Sequence, residues 1–143
     1  MGYTHYWTFS ARVSQSRYER ALIDCRKIVK ASPVPLGDAY GEGNPKLVNG
    51  VWFNGVGENA HETFALGKTP IREHCNPACR GFNFCKTANK PYDLIVVACL
   101  CVLQHHLGKQ VEVSSDGNEV DWKAGTAFAN KVLCLKNPLE GQQ

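Results

Sequence analysis

The sequence lacks a hydrophobic run long enough to cross a lipid bilayer. Its longest apolar run, residues 94–103, lies between Asp93 and Gln104 and has about half of the roughly 20 residues that a membrane helix needs. The first seven residues show no basic region followed by an apolar one, so we expect no export signal and no lipid anchor. We therefore expect a cytoplasmic protein that does not bind membranes.

Basic residues are too few and too scattered to form a nucleic-acid-binding stripe. The net charge is +3, the sequence pI is about 8.5, and two basic segments, 1–36 and 67–90, flank an acidic one. DNA-binding domains usually combine a pI above about 9 with clustered Lys and Arg. We therefore expect no extended nucleic acid as a partner, whereas a small anionic ligand is compatible with these segments.

Length and composition predict one globular domain. The 143 residues are 43% hydrophobic and 20% charged, so the chain can bury a core without a partner, and we assign residues 1–143 to a single domain. Seven cysteines are present, and Cys99, Cys101 and Cys134 lie in apolar segments where a thiol behaves as a small hydrophobic group. We interpret the cysteines as reduced, as is usual in the cytoplasm.

Hydrophobic periodicity and turn residues predict an α+β fold. Ser16 and Glu19 are spaced as a capping box, which predicts the start of a first helix, and Asn49-Gly50 predicts a hairpin. Residues 69–90 show no clear period and are interpreted as a surface segment without regular structure. The remaining predicted elements are strands over 5–9, 61–66 and 111–113, a buried helix over 91–107 and a helix that follows Asp121. This order resembles a ferredoxin-like βαββαβ core with an extra hairpin strand and a C-terminal helix.

Four potential zinc ligands, His74, Cys75, Cys79 and Cys85, fall within a short segment. Thiolate and imidazole are ligands that zinc prefers. The segment lacks the Cys-x-x-Cys turn that usually presents two sulfur atoms to one metal. We therefore predict no metal and no cofactor, with a zinc site as the alternative.

Three histidines are candidates for acid–base catalysis. His61 and Thr63 form the H-x-T pattern of two-histidine phosphoesterases, in which strand alternation places both side chains on one face. The second copy is lacking, because the His-x-x-Thr that starts at His5 is spaced for opposite faces. His105 and His106 lie at the predicted C-terminal end of the second helix, where exposed carbonyls stabilise an imidazolium. The alternative for these two is helix capping.

The start of the second helix is a candidate anion-binding site. Lys86, Thr87 and Lys90 precede it, and helix N-termini bind anions through free amides and the helix dipole. Asp93 already supplies a negative charge there, so the alternative is a solvated helix start. Polar and aromatic residues at the ends of other predicted elements complete the set of predicted ligand-binding residues, which is His5, Trp7, Asn54, Thr63, Lys86, Thr87, Lys90, Tyr92, Ser115 and Asp116.

Several motifs together resemble a family of small proteins from phages and bacteria. They are Gly2-Tyr-Thr-His-Tyr-Trp7, Ala60-His-Glu-Thr-Phe64, Phe84-Cys-Lys-Thr-Ala88 with Lys90-Pro-Tyr-Asp93, and Ser114-Ser-Asp-Gly117. The resemblance spans nearly the whole chain and implies no particular activity. Small phage proteins of this kind often act as counter-defence factors. By that analogy we expect a protein that binds an anionic, nucleotide-like ligand and sequesters a nucleotide immune signal.

Two other functions stay open. The first is a phosphodiesterase-type hydrolase that cleaves such a nucleotide with histidine acid–base catalysis. The second is a protein-binding inhibitor of a host defence complex that uses the basic segments as an electrostatic surface. A homo-oligomer is compatible with all three functions.

Overall fold

The computed structural model describes residues 3–71 and 81–134. Within these ranges the chain forms five strands, three α-helices and two short 3-10 turns. In chain order they are β1 Thr4–Phe9, α1 Gln15–Lys30, β2 Val51–Phe53, a 3-10 turn Gly57–Asn59, β3 Phe64–Leu66, β4 Phe82–Lys86, α2 Asp93–Leu107, a 3-10 turn Gly108–Gln110, β5 Val111–Ser115 and α3 Glu119–Leu133. The predicted α+β class is confirmed.

β1 is the central strand of a three-stranded antiparallel sheet with the order β4-β1-β5. Tyr6 in this strand lies opposite Phe84 on one side and opposite Ser114 on the other. β2 and β3 form a separate antiparallel pair. The predicted ferredoxin-like topology is not confirmed, because the described strands form sheets of three and two rather than one sheet of four.

The segment 69–90, predicted to lack regular structure, contains β4. In most half-buried strands the apolar side chains face the core and the polar ones face solvent, whereas in β4 the two phenylalanines face outwards. Phe82 and Phe84 are 38% and 54% exposed, whereas Cys85 is completely buried. Because the aromatic side chains point outwards, hydrophobicity alone does not identify the buried face of the strand. The prediction for these five residues was therefore wrong.

The predicted helices are present, but the residues that cap them differ from the prediction. α1 is capped by Ser14, whose hydroxyl accepts from the Arg17 amide at 3.3 Å, so Ser16 lies inside the helix. α3 is capped by Asn118, which forms a capping box with Asp121. In both cases the true cap lies two or three residues before the predicted one.

Two predicted β segments are shorter in the structure. The Asn49-Gly50 turn is present, with φ of 60° and 141°, and its arms are joined at Lys46 and Trp52. β2 then pairs with β3, which begins only at Phe64. The pattern that predicted a strand from residue 61 therefore includes three residues of the preceding loop.

α2 is the centre of the core and packs between α1 and α3. Nine of its residues are buried, as expected for a helix that is apolar on all sides. Gly125 in α3 allows close approach, because a Cβ there would overlap Val97 Cγ1 of α2. The predicted inner face of α1 is buried as well, and it consists of Tyr18, Leu22, Cys25, Ile28 and Val29.

The described cysteines are free thiols that differ in exposure. Cys25, Cys85 and Cys99 are buried, Cys101 is partly buried, and Cys134 is exposed. Burial raises the pKa of Cys99 and of Cys101. The apolar sequence around Cys134 therefore does not bury its side chain, contrary to the prediction.

No helix within residues 3–71 and 81–134 combines the length and apolar character needed to cross a bilayer.

Candidate functional site

Asp93, His5 and Ser115 form a line of hydrogen bonds through the imidazole ring. His5 Nε2 lies 2.6 Å from Asp93 Oδ1, and His5 Nδ1 lies 2.8 Å from Ser115 Oγ. A carboxylate accepts hydrogen bonds, so in the neutral imidazole Nε2 carries the proton and Nδ1 accepts from the Ser115 hydroxyl. The line thus joins a carboxylate, a base and a hydroxyl, the three groups that nucleophilic catalysis requires.

Three elements of the main core bring these residues together. His5 lies in β1 directly opposite Ser115 of β5, and its side chain points towards the helices. Asp93 is the first residue of α2, where the helix dipole stabilises a negative charge. Thr87 Oγ1 also donates to Asp93 Oδ1 at 2.6 Å, so the carboxylate is held from two sides.

Two aromatic rings enclose His5. Tyr3 and Trp122 contact the imidazole edge-on, with ring centroids 5.1 and 5.5 Å away, and His5 is completely buried. Burial, followed by the carboxylates of Asp93 and Asp121, raises the pKa of the Tyr3 hydroxyl. The imidazole is therefore shielded from solvent.

An open cavity of about 580 Å³ adjoins Ser115. Its surface is polar and apolar in about equal parts, and among the described residues Glu119 is the one charged side chain of its lining. Trp122 Nε1 is buried and has no hydrogen-bond partner among the described residues. The lining residues are Gln104, Val113, Ser114, Ser115, Gly117, Asn118, Glu119, Trp122 and Thr126.

No family matches. Comparisons with protein-family models, with curated proteins and with solved structures find nothing similar to this chain. The resemblance to phage and bacterial proteins therefore stays a prediction.

Three of the predicted ligand-binding residues lie inside the fold. Trp7 is a core residue whose ring packs 5.0 Å from that of Phe64, and its Nε1 is buried without a described partner. Asn54 accepts from the His61 amide at 2.9 Å and donates to the His61 carbonyl at 2.8 Å. The Tyr92 hydroxyl donates to the Glu62 carbonyl at 2.6 Å. The contacts of Asn54 and Tyr92 hold the loop before β3, and the Trp7 ring packs in the core. None of the three residues belongs to the lining of the cavity.

The predicted anion site at the start of α2 has few free donors. The amides of Asp93 and Ile95 donate to the carbonyls of Lys90 and Tyr92 at 2.9 and 3.0 Å. The Lys86 amide donates to the Glu62 carboxylate, and the Thr87 hydroxyl is bound to Asp93. Since bound amides are not available to an anion, the geometry favours the alternative of an ordinary helix start.

Two further predicted residues hold the backbone. The Thr63 hydroxyl donates to the Ala39 carbonyl at 3.0 Å. Asp116 Oδ2 accepts from the Thr4 amide at 3.1 Å, next to the end of the main sheet. Of the predicted binding residues, His5, Thr87 and Ser115 are therefore the ones that the structure brings together.

The three predicted catalytic histidines lie apart from this cluster. His61 is exposed in the loop before β3. His106 Nε2 is 2.6 Å from Asp24 Oδ2, and the His105 ring contacts that of His106 at 5.1 Å. Both are at the C-terminal end of α2, about 20 Å from Asp93 at 1.5 Å per residue. Their catalytic role stays a prediction, and the structure supplies His5 as a better-placed base.

Of the four potential zinc ligands, Cys85 is the one that lies within the described residues. His74, Cys75 and Cys79 lie outside the described residues. Cys85 is buried, and its thiol donates to the Glu62 carbonyl at 3.4 Å. Burial, followed by the Glu62 charge, raises the pKa of Cys85 to about 12. Since zinc binds thiolate rather than thiol, Cys85 is a poor ligand. The described residues contain no group of three metal-binding side chains.

The sequence predicted Ser115 and His5 as binding residues. It did not predict that His5 contacts Ser115 and Asp93, or that Trp122 packs against the imidazole. Asp93 was interpreted only as a charge at a helix start. The three residues of the line are about 90 and 20 positions apart in sequence, and only the strand register brings them together. No local sequence pattern reports such a register.

Proposed function

We propose that this protein binds a small polar ligand in the cavity between β5 and α3. The observation that carries the proposal is the cavity itself, which is lined by hydroxyl, amide and carboxylate side chains together with the ring of Trp122. Convergent polar groups beside an aromatic ring are typical of small-molecule sites. The cavity volume lies within the range of small-molecule sites.

The charge of the lining narrows the class of ligand. Glu119 contributes a negative charge, and none of the lining residues that the structure describes is Lys or Arg. An anion would therefore be repelled, which disfavours the anionic nucleotide expected from the sequence. A neutral, nucleoside-sized molecule fits better, because it can contact the Trp122 ring and offer a donor to Glu119. The nucleotide immune signal expected from the sequence is anionic and is therefore the less favoured ligand class, which the same titration tests.

The first experiment is native mass spectrometry of freshly purified protein, followed by calorimetric titration with nucleosides, cyclic dinucleotides and ADP-ribose. We expect a retained small mass, or binding of a neutral nucleoside. Trp122→Phe reduces the aromatic surface of the lining, so it should weaken binding by about 2- to 10-fold. Trp52→Phe is the matched control, because Trp52 lies away from this cavity and contacts Lys46. A bare chain and no heat from any compound would refute the proposal.

A second candidate function is hydrolysis with Ser115 as the nucleophile. The specific observation is the Ser115–His5–Asp93 line, in which His5 Nδ1 can take the hydroxyl proton while Asp93 stabilises the imidazolium. The Gly117 amide also donates to Ser115 Oγ at 2.9 Å. That bond holds the hydroxyl in place and lowers the electron density on the attacking oxygen, so we rank binding first.

Labelling with a fluorophosphonate probe separates the two functions. A hydrolase should be labelled on Ser115, and Ser115→Ala should abolish both labelling and turnover of a bound ester or phosphodiester. Ser16→Ala is the control, since that hydroxyl lies on α1 and contacts Ser14 rather than His5. Tight binding without labelling would support the binding function and exclude hydrolysis at Ser115.

The third function, inhibition of a host protein, predicts instead that a protein co-purifies with the bare chain.

A further inference from the structure

The outer face of the three-stranded sheet carries three aromatic side chains among its polar ones. Residues alternate along a strand, so Tyr6 and Thr8 point away from the buried side chains of β1. In β4 the same face holds Phe82 and Phe84, and these are 38% and 54% exposed. The outer face of a half-buried antiparallel sheet is normally polar. The aromatic residues here are not needed to close the core, which lies on the other face.

The rings form one continuous platform across two strands. Tyr6 and Phe82 are stacked, with centroids 6.3 Å apart and planes inclined by 27°. Phe82 and Phe84 follow at 6.1 Å and 37°. Phe84 lies directly opposite Tyr6 in the register, so a flat molecule placed on one ring has a second aromatic surface beside it.

We propose that this face binds single-stranded RNA, with bases stacked on Tyr6 and Phe84. Every base has an aromatic face, and stacking on protein rings tolerates different sequences. Aromatic residues on neighbouring strands of an open antiparallel sheet are the means by which RNA-recognition motifs hold unpaired bases. The proposal concerns the opposite side of the sheet from Ser115 and does not rest on the small-ligand cavity.

The sequence of β4 supports this ligand class. The RNA-recognition strand motif begins K/R-G-F/Y-G/A-F, and this chain reads Arg80-Gly81-Phe82-Asn83-Phe84. Four of these five positions agree, and Asn83 replaces a small residue. Arg80 lies outside the described residues. The eighth motif position, usually aromatic, is Thr87 here, and its hydroxyl is bound to Asp93. The platform is therefore limited to the rings named above.

Charges at both ends of the sheet suit a sugar–phosphate backbone. Lys86 is two residues after Phe84 and so lies on the same face at the C-terminal end of β4. At the other end, Arg12 follows β1 and Lys109 precedes β5, and both are exposed. Glu112 is on the outer face of β5 and can accept from the amino group of a base. The expectation of no extended nucleic acid rested on the lack of a Lys/Arg stripe, which stacking does not require.

Fluorescence anisotropy tests the proposal with labelled ten-nucleotide RNAs of U, of A and of mixed sequence. We expect binding in the micromolar range, and weakening by about 5- to 100-fold in both Phe84→Leu and Tyr6→Leu, because each loses a stacking surface. Tyr40→Leu is the matched control. Tyr40 is 86% exposed but lies in a loop outside the sheet. Circular dichroism confirms that each variant is folded.

Salt dependence provides a second, independent readout. With two or three phosphate contacts, the slope of log K against log salt should be about −2, and Lys86→Ala should reduce its magnitude by about 0.7. The proposal is overturned if no RNA binds at 100 μM protein, if the two leucine variants bind as well as the wild type, or if duplex RNA binds as tightly as single strands. Self-association that Phe84→Leu abolishes, without RNA binding, would assign the face to a second copy instead.

Discussion

His5 and Asp93 connect the central strand of the main sheet to the first turn of α2, the most buried helix among the described residues. Their 2.6 Å contact joins residues on β1 and α2, and Thr87 shares the same carboxylate oxygen. His5 is completely buried, and the Asp93 side chain is 14% exposed. A polar contact of this kind in a hydrophobic interior fixes how the helix sits on the sheet, because other placements leave a buried polar group without a partner.

Asp93→Ala should destabilise the fold by about 2–5 kcal/mol, because it leaves two buried donors, on His5 and Thr87, without an acceptor. The measurement is urea unfolding followed by circular dichroism. Asp24→Ala is the matched control, since Asp24 also contacts a histidine at 2.6 Å, but both partners of that pair are nearly one-fifth exposed. Its cost should be about 0–1 kcal/mol. Equal losses in the two variants would show that burial of His5 does not strengthen its contact.

Asn118→Ala should cost about 0.5–2 kcal/mol, because Asn118 accepts from the amides of Val120 and Asp121 at the start of α3. The free energy of unfolding in urea measures this cost. Asn130→Ala removes the same side chain from an exposed position inside α3 and should be neutral or slightly stabilising. A loss from Asn130→Ala as large as that from Asn118→Ala would contradict the capping role.

Gly125→Ala should destabilise the protein by about 1–3 kcal/mol, although alanine favours helices, because its Cβ would overlap Val97 Cγ1. The double variant Gly125→Ala/Val97→Ala should lose less than the sum of the single variants, by about 0.5–3 kcal/mol. A double-mutant cycle from urea unfolding gives this difference. Strict additivity would mean that the two helices adjust without the contact.

Alkaline pH should destabilise the protein through Cys85. Its folded pKa is raised from 9.0 to about 12, so the unfolded chain loses this proton first as the pH rises. Stability from this group is complete below pH 9 and decreases between pH 9 and 12, by at most about 1.4 kcal/mol per pH unit. Urea midpoints at pH 8, 9.5 and 11 measure the decline, to which the raised pKa values of Tyr18 and Tyr92 also contribute.

Alkylation with iodoacetamide at pH 9, mapped by peptide mass spectrometry, separates the thiol from the phenols. Cys134 is exposed and should react with the folded protein, whereas Cys85 should react only after unfolding. Rapid alkylation of Cys85 in the folded protein would contradict its burial.

The helices were predictable because their signals are local. The inner face of α1 recurs at three- and four-residue steps, and α2 lies between a proline and a glycine that mark its limits. β4 was missed because its exposed Phe82 and Phe84 reverse the usual relation between hydrophobicity and burial. For the same reason, the outer face described above was invisible to a method that assigns aromatic residues to the core.

The polar cluster was predictable only in part. His5 and Ser115 are polar residues at the ends of predicted elements, and both were candidates. Trp7, Asn54 and Tyr92 satisfied the same criterion, yet packing and loop contacts use them inside the fold. Residue type and position along an element therefore suggest candidates, whereas the contacts across the sheet decide which of them meet.

The position of β1 in the middle of its sheet affects how the chain folds as it is made. This strand pairs with residues 82–86 and 111–115, so its second edge is covered only after synthesis has reached residue 115. Contacts so distant in sequence slow folding, and an unpaired strand edge can join other chains. β1 is thus synthesised before both of its partner strands and keeps an unprotected edge until β5 follows, so the interval between them carries a risk of aggregation.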